Sequence, residues 1–521
     1  MFSKDVNKRL RVIKIALLIS LAFLICGCSS GEVTLNIIHV NDTHSHIEPD
    51  NDGNYGYARM KTVVDSIRNE TGEYTLFIHG GDMFPGTLYY NIYRGKSDIK
   101  SFNMMGLDVY VLGNHEFDNG PEYLGSLLNL SDAEVVSANI TSVQGNLEPL
   151  VKPYIIRQFG NVKVGVIGLI TVLTKQISSS EEIEFLEYLP VIQENVKKLK
   201  EQDCNYVILA VHIGTRDCLD LIKEMSGVNM VIDGHSHTLL DTTVYDSENK
   251  AVRYRQARHH SQYVGIAELK FDNAGNVKPD GEAYDILELN SSIKEDPVFL
   301  DSLGIWSKPV QDYDAIIAGY ISDDLLLHNP ASRSGEFALG NLIADAFLWY
   351  GQKHNAQAAI INTGGVREDL NAPDVTMKDI YSVLPFGNTL DIVTVTGREL
   401  LDMMSNGVSR VGGSGSGRFP QVSGIRFAYD KSEGEIKWVK IKQGSRFVNV
   451  NPKNRYKIAV NSYMTSGGDG YVMLQKLSPS DQLTGLAPQQ QVLADYLNYK
   501  STAENPLNIA EIEDNRIKAY E

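Results

Sequence analysis

Cysteine is scarce, with four residues in a chain of 521. Two of them, Cys26 and Cys28, fall at the N-terminus. Only Cys204 and Cys218 are left to pair in an oxidising compartment, at a distance sequence does not fix, so at most one internal bridge is available. Positive charge is also short: 48 Lys and Arg face 65 Asp and Glu, a formal net charge of −17. Such acidity argues against nucleic acid as a partner. It also means that an anionic substrate must be met by a local positive field, such as bound metal ions. Long apolar runs are missing beyond residues 15–25, which are too few to span a bilayer. There is no internal repeat. The glycine-rich stretch 412–417 matches neither G-x-G-x-x-G nor the Walker pattern, so it is expected to be a flexible loop.

What is present is chain enough for two or more domains. The length exceeds what one core supports, and 43% hydrophobic with 22% charged residues is typical of globular proteins. The N-terminus carries Lys4, Lys8, Arg9, Arg11 and Lys14, then the short apolar run, then Ile25-Cys26-Gly27-Cys28-Ser29-Ser30. A basic segment followed by a short hydrophobic one reads as a secretory signal. Its ending resembles a bacterial lipobox, which implies residues 1–28 as signal and acylated residue, with Cys28 as the lipidated cysteine. The implied location is the bacterial cell envelope, anchored to a membrane and facing the periplasm or the exterior.

The chemistry-bearing residues recur at one kind of place. Strand-like runs at 33–40, 75–79, 108–111, 206–211 and 230–232 end in Asn41-Asp42-Thr43-His44, Gly80-Gly81-Asp82, Gly113-Asn114-His115-Glu116-Phe117-Asp118, His212-Ile213-Gly214 and Asp233-Gly234-His235-Ser236-His237. The C-terminal ends of strands are where open α/β sheets put their sites. Carboxylate, amide and imidazole donors suit a divalent transition metal. Asp82 has two oxygens and could bridge two cations, and Asp118 could hydrogen-bond His115 and fix its tautomer. One such turn is ordinary, whereas five at strand ends point to a single site.

The order Asp42-x-His44, Gly81-Asp82, Gly113-Asn114-His115-Glu116, His212 and Gly234-His235-x-His237 resembles the calcineurin-like metallophosphoesterases, and more narrowly the 5′-nucleotidase family. That resemblance implies Asp42, His44, Asp82 and His237 around one metal ion. It implies Asp82, Asn114, His212 and His235 around a second, with Asp82 shared. His115, paired with Asp118, would be the catalytic histidine that binds no metal. Two divalent ions (Zn, Mn, Co or Fe) are the implied cofactors.

The second half has no metal-like cluster but several glycine-punctuated loops. Arg333, Asn362-Thr363-Gly364-Gly365-Val366-Arg367, Phe386-Gly387-Asn388, 417–425 and Tyr463 through Asp469 resemble the nucleotide-binding domain of the same family. By that resemblance Phe386 and Tyr463 stack the base, Tyr463 standing where Phe is commoner, and a Tyr still stacks. Arg333, Asn362, Gly364, Arg367 and Asp469 would complete the pocket.

The expected fold is α/β (α+β): an N-terminal α/β/β/α metallophosphoesterase sandwich over residues 33–290, a linker helix over 291–313 and a C-terminal α/β nucleotide-binding domain over 314–521. Ser292 or Asp296 is the expected cap of the linker helix, with Pro297 in its first turn. The implied activity is extracytoplasmic release of phosphate from nucleoside 5′-monophosphates by a monomer, with nucleotide sugars or polyphosphates as further substrates. Two rivals stay open, a 2′,3′-cyclic-nucleotide 2′-phosphodiesterase/3′-nucleotidase and a surface lipoprotein that binds nucleosides without catalysis.

Overall fold

The computed structural model describes residues 32–520, except 51, 72–73, 142–144, 146, 179, 181–182, 328–332, 414 and 513. The expected signal and Cys28 lie outside the described residues. Strand Val33–Val40 explains the layering of the first half. Val33, Leu35 and Ile37 face one core, while Ile38 and Val40 face another. Strand Tyr206–His212 does the same, with Tyr206, Ile208 and Ala210 in the first core and Val207, Leu209 and Val211 in a third. Both faces are covered, so Tyr206–Val211 reads as an unbroken apolar run, while Val33–Val40 admits Thr34, Asn36 and His39 among its apolar residues. The shared core lies between two sheets, and helices cover each outer face. Among them, Tyr57–Thr71, Lys96–Met105 and Pro121–Leu128 lie on one side, Tyr188–Glu201 and Thr215–Glu224 on the other.

The first sheet has seven strands in the order Val277–Glu288, Tyr263–Phe271, Val33–Val40, Tyr74–His79, Val109–Val111, Glu134–Val136 and Val151–Lys152. The second has six: Leu239–Tyr245, Ala251–Ala257, Met230–Ile232, Tyr206–His212, Val162–Ile170 and Tyr154–Phe159. Val33–Val40, Tyr74–His79 and Val109–Val111 run parallel, as do Tyr206–His212 and Met230–Ile232. The expected α/β/β/α sandwich is what the first half forms.

Helix Pro297–Asp314 starts at Asp296, whose carboxylate accepts the Phe299 N–H at 2.7 Å. Ser292, the other candidate cap, donates instead to Asn290 at 2.6 Å. The helix sinks Phe299, Leu303 and Val310 into the first-half core, and it also packs on helix Met377–Val383 of the second half.

The second half holds a five-stranded sheet, ordered Pro420–Ser423, Ala358–Asn362, Arg455–Asn461, Thr389–Thr396 and Gln482–Pro488. Beside it is a four-stranded sheet, Arg446–Asn449, Glu435–Gln443, Ile425–Asp430 and Ile517–Tyr520. Helices Ala338–Gly351 and Gln489–Lys500 cover one face of the larger sheet, over Ala359, Ile361 and Ile392. Helix Gly397–Val408 covers the other, over Ala358, Ile360 and Val393. Cys204 and Cys218 are both free thiols. No helix among the described residues is long and apolar enough to cross a membrane.

Candidate active site

The parallel strands of both sheets deliver their polar ends to one edge of the sandwich. The turns that follow are tight. Asp42, His44, Asp82, His235 and His237 all sit in the left-handed region, at φ between 48° and 74°. Side chains adopt that conformation at a cost of roughly 1–3 kcal/mol each, and it gathers at functional sites. Glycines make the room. Gly81 has φ +88°, and a Cβ there would come within 2.6 Å of the His212 ring. A Cβ on Gly113 would lie 2.2 Å from Asp82 Oδ1.

Two groups of donors result. The donor atoms of Asp42, His44 and His237 lie within 4.8 Å of one another, as do those of Asp82, His212 and His235. Asp82 Oδ2 is 3.0 Å from His212 Nε2 and 3.9 Å from His44 Nε2, so one carboxylate stands between the groups. His237 Nε2 lies 3.4 Å from Asp42 Oδ1 and 3.1 Å from His44 Nε2. The tautomers are fixed from behind. His44 Nδ1 bonds the Pro85 carbonyl at 2.8 Å and His212 Nδ1 that of Gly80 at 2.9 Å. A carbonyl only accepts, so each Nδ1 carries the hydrogen and each Nε2 presents a lone pair inward.

These residues fit divalent cations, and what they leave unpaired shows it. The buried Asn114 Oδ1 has no hydrogen-bond partner among the described residues, and His212 Nε2, with the hydrogen on Nδ1, meets Asp82 Oδ2 lone pair to lone pair at 3.0 Å. Buried polar atoms are rarely left so, and a cation is a partner for a carbonyl oxygen and an imidazole lone pair alike. Charge agrees. Burial works against an imidazolium at His212, yet Asp82 and Asp42 outweigh it and lift its pKa to about 10, so the carboxylates call for positive charge at that spot.

His115 stands apart from both groups. Its backbone N–H donates to Asp82 Oδ1 at 2.9 Å, and its Nδ1 lies 2.9 Å from Asp118 Oδ2. Burial opposes charge on this ring, but Asp118 and Asp82 outweigh it and hold the pKa above the ordinary imidazole value.

Two buried acids that sequence reasoning passed over hold the turns in place. Glu116 accepts the N–H groups of Asp82 (3.1 Å), Met83 (2.8 Å) and Gly113 (2.6 Å) and the Tyr110 hydroxyl (2.6 Å). Asp233 accepts those of Ile213 (3.0 Å), Gly214 (3.1 Å) and Gly234 (2.8 Å) and the Tyr254 hydroxyl (2.9 Å). Each carboxylate ties two donor-bearing loops together. Their positions inside the motifs were visible, but nothing in the sequence separated an anchor from a ligand.

The second half closes over this edge. A cavity of about 640 Å³ is lined by Asp82, Asn114, His115, Asp118, His235 and His237 from one side and by Arg333, Asn362, Gly364, Arg367, Phe386, Tyr463 and Asp469 from the other. Asp42, His44 and His212 lie beneath it, fully buried. Asn362 donates to Asp469 Oδ2 at 2.8 Å and receives the Asn461 amide at 2.8 Å. The Asp469 N–H donates to the Tyr463 hydroxyl at 3.2 Å. Gly364 lies against the backbone of Gly417. Arg367 reaches His44 at 3.4 Å and lies over Phe386, whose ring stacks on His115 with centroids 5.4 Å apart. Burial, then the neighbouring Arg367, lowers Arg333 to about 10, which leaves it cationic. Arg94, Thr215, Arg216 and Ser236 also line the cavity and had no signal in the sequence.

Comparisons with known proteins agree with this division. Residues 35–239 match the calcineurin-like phosphoesterase family and 317–476 the 5′-nucleotidase C-terminal domain. The chain is 30% identical over 501 residues to a snake venom 5′-nucleotidase of Naja atra, covering 85% of this chain and 92% of that protein. It is 31% identical over 489 residues to a trifunctional nucleotide phosphoesterase of Bacillus subtilis, covering 86% of this chain but 33% of that longer protein. The crystal structure of a 5′-nucleotidase precursor from Thermus thermophilus superposes with a TM-score of 0.86 at 32% identity, covering 93% of this chain and 99% of that one. With donor clusters of the kind that the dinuclear centres of calcineurin-like phosphoesterases require, this chain belongs to the 5′-nucleotidase family of metal-dependent phosphohydrolases.

Proposed function

We propose that the protein releases phosphate from nucleoside 5′-monophosphates outside the cytoplasm. The observation that carries this reading is the cavity itself, which has buried metal-type donors on one wall and two aromatic rings with two guanidiniums on the other. A phosphate at the first wall and a base at the second can be held by one molecule. In this reading Asp42, His44, Asp82 and His237 hold one divalent ion. Asp82, Asn114, His212 and His235 hold the other. Bound there, two divalent cations would acidify a water and neutralise the phosphoryl oxygens.

The chain's own residues do the rest. Asp118 orients His115 through Nδ1, which leaves Nε2 to carry a proton toward the phosphoryl or leaving-group oxygen. Arg367 and Arg333 bring positive charge to an otherwise acidic molecule and draw the anionic substrate in. Phe386 and Tyr463 exclude water and stack the base. Asn362 and Asp469, fixed by their mutual hydrogen bond, face the sugar hydroxyls. Residues 1–28 serve as a lipoprotein signal, with Cys28 acylated and the enzyme tethered to the bacterial envelope as a monomer.

Phosphate release from a panel of 5′-, 3′- and 2′,3′-cyclic nucleotides, nucleotide sugars and base-free phosphate esters tests this. The 5′-monophosphates should give the highest kcat/KM, and chelation should abolish turnover. Preference for cyclic or 3′ substrates would transfer the assignment to the phosphodiesterase reading. Binding without release on any substrate would make the protein a nucleoside-binding lipoprotein.

A further inference from the structure

Outside the two donor groups lies a third. His46, His260 and Glu368 bring one donor atom each within 4.8 Å of the others. His46 follows strand Val33–Val40 and His260 follows strand Ala251–Ala257, both in the first half. Glu368 comes from the second half, immediately after the cavity residue Arg367. Glu368 Oε1 lies 3.2 Å from His46 Nε2 and 2.9 Å from His260 Nδ1. The two imidazoles stack, with centroids 3.7 Å apart and planes at 11°.

The histidine pair is also held by contacts within the first half. The His260 N–H donates to the Asp42 carbonyl at 2.8 Å, and the Ser261 hydroxyl donates to that of His46 at 3.0 Å. His260 and Ser261 both sit in the left-handed region, at φ 54° and 57°. Such a backbone persists only where its surroundings enforce it.

The tautomer of His46 decides what the cluster can hold. Its Nδ1 faces the His44 carbonyl at 3.0 Å, so Nδ1 carries the hydrogen and Nε2 is left with a lone pair. That lone pair meets a carboxylate oxygen at 3.2 Å. Two acceptors this close repel unless positive charge lies between them. The pattern repeats that of His44 and His212, where Nδ1 is fixed by a backbone carbonyl and Nε2 is aimed at Asp82. Two imidazoles and one carboxylate make up a zinc donor set with an open fourth position once one ring turns out of the stack, because each lone pair lies in the plane of its own ring. All three side chains are half-buried, so an ion can reach them from solvent.

We propose that His46, His260 and Glu368 form a third divalent-cation site of zinc type that staples the two halves of the chain together. Its ion is distinct from those held beside Asp82, because none of its three ligands belongs to those groups. Filling it fixes Glu368, and with it Arg367, against the first half, so excess zinc acts as a brake on any opening of the cavity.

The test counts metal. Holoenzyme, Glu368→Gln and His260→Asn are dialysed against rising zinc, and bound metal is measured by elemental analysis. Wild type should take up one further equivalent that both variants lack. Zinc should then raise the Tm of wild type above that of either variant, with folding checked by circular dichroism. Equal metal content in all three proteins overturns the proposal and leaves a proton as the only cation between His46 and Glu368. The count does not depend on catalysis, so a failure of the nucleotidase reading would appear separately, as wild-type enzyme that releases no phosphate.

Discussion

At Asp82 a left-handed backbone, a buried carboxylate and two imidazole groups coincide. Burial alone would raise its pKa, but His212, then His115 and His44, outweigh it and hold the carboxyl well below the usual range. Asp82→Asn removes the charge that both groups share, so metal content should fall at both and turnover should be lost. His115→Ala should keep its metal and lose turnover, and elemental analysis beside a phosphate assay separates the two variants. His39 offers a cleaner electrostatic test, away from the cavity. It is fully buried on strand Val33–Val40, and neither ring nitrogen has a partner among the described residues. Gly265 opposite makes the space, since a Cβ there would come within 1.9 Å of His39 Nε2. Burial, then the Arg255 charge, holds the imidazole neutral far below its ordinary value. The unfolded chain binds a proton below about pH 6.5 that the folded chain refuses. Stability is therefore lost as the pH falls through that value, by about 1.4 kcal/mol at pH 5.5. His39→Leu should abolish this loss. Urea midpoints at pH 5.5 and 7.5 measure it, and identical pH slopes in the two proteins would contradict the assignment.

Single elements decide how the site is held. Helix Pro297–Asp314 depends on the Asp296 cap, and its replacement by alanine leaves the Phe299 N–H unmet. Such a loss costs about 0.5–2 kcal/mol. Asp296→Ala should thus lower the denaturation midpoint without changing KM. The turn between helix Met377–Val383 and strand Thr389–Thr396 carries Phe386 into the cavity. Gln490 holds that turn by donating to the Phe386 carbonyl at 2.8 Å, so the ring is aimed by its backbone. Base–aromatic stacking is worth roughly 1–3 kcal/mol, which at about 1.4 kcal/mol per tenfold is one to two powers of ten. Phe386→Ala should lower kcat/KM for a nucleotide by that factor and barely affect a base-free phosphate ester. Equal losses on both substrates would make Phe386 a structural residue, as its packing on His115 would also allow.

For the whole molecule the question is how a cavity walled by both halves admits its substrate. Arg367 on His44 and Glu368 on His46 and His260 are polar contacts, as is Lys378 to Glu48 at 3.8 Å. Interfaces of this kind between parts of one chain allow relative motion, and residues at the ends of elements can absorb the rotation. Turnover is expected to require it. Glu48→Cys and Lys378→Cys, placed in a Cys204→Ser/Cys218→Ser background and joined by a short cleavable thiol cross-linker, should stop multiple turnover. Cleaving the linker should restore it. Normal cycling of the cross-linked enzyme would remove domain motion from the mechanism.

The amino-acid sequence by itself determined where the strands end and which donors stand there. Strand Met230–Ile232 was legible to the residue and Val33–Val40 likewise, the first as an apolar run cut off by Asp and the second as an alternating one cut off by Asn. The donors Asp42, His44, Asp82, Asn114, His212, His235 and His237, and beside them His115, were legible for the same reason, since local spacing carries them to the ends of strands. Only the tertiary structure decided what meets across distance. That Glu116 anchors the backbone of Asp82, and Asp233 that of Ile213 and Gly214, follows from turns that converge only after the sheets form. That Glu368 joins His46 and His260 depends on one half closing on the other, since His46 and Glu368 stand 322 positions apart in the chain. The physical reason is the range of the forces. Periodicity and turn chemistry act between near neighbours and leave their mark in sequence order. A hydrogen-bonded carboxylate or a shared cation answers only to separation in space.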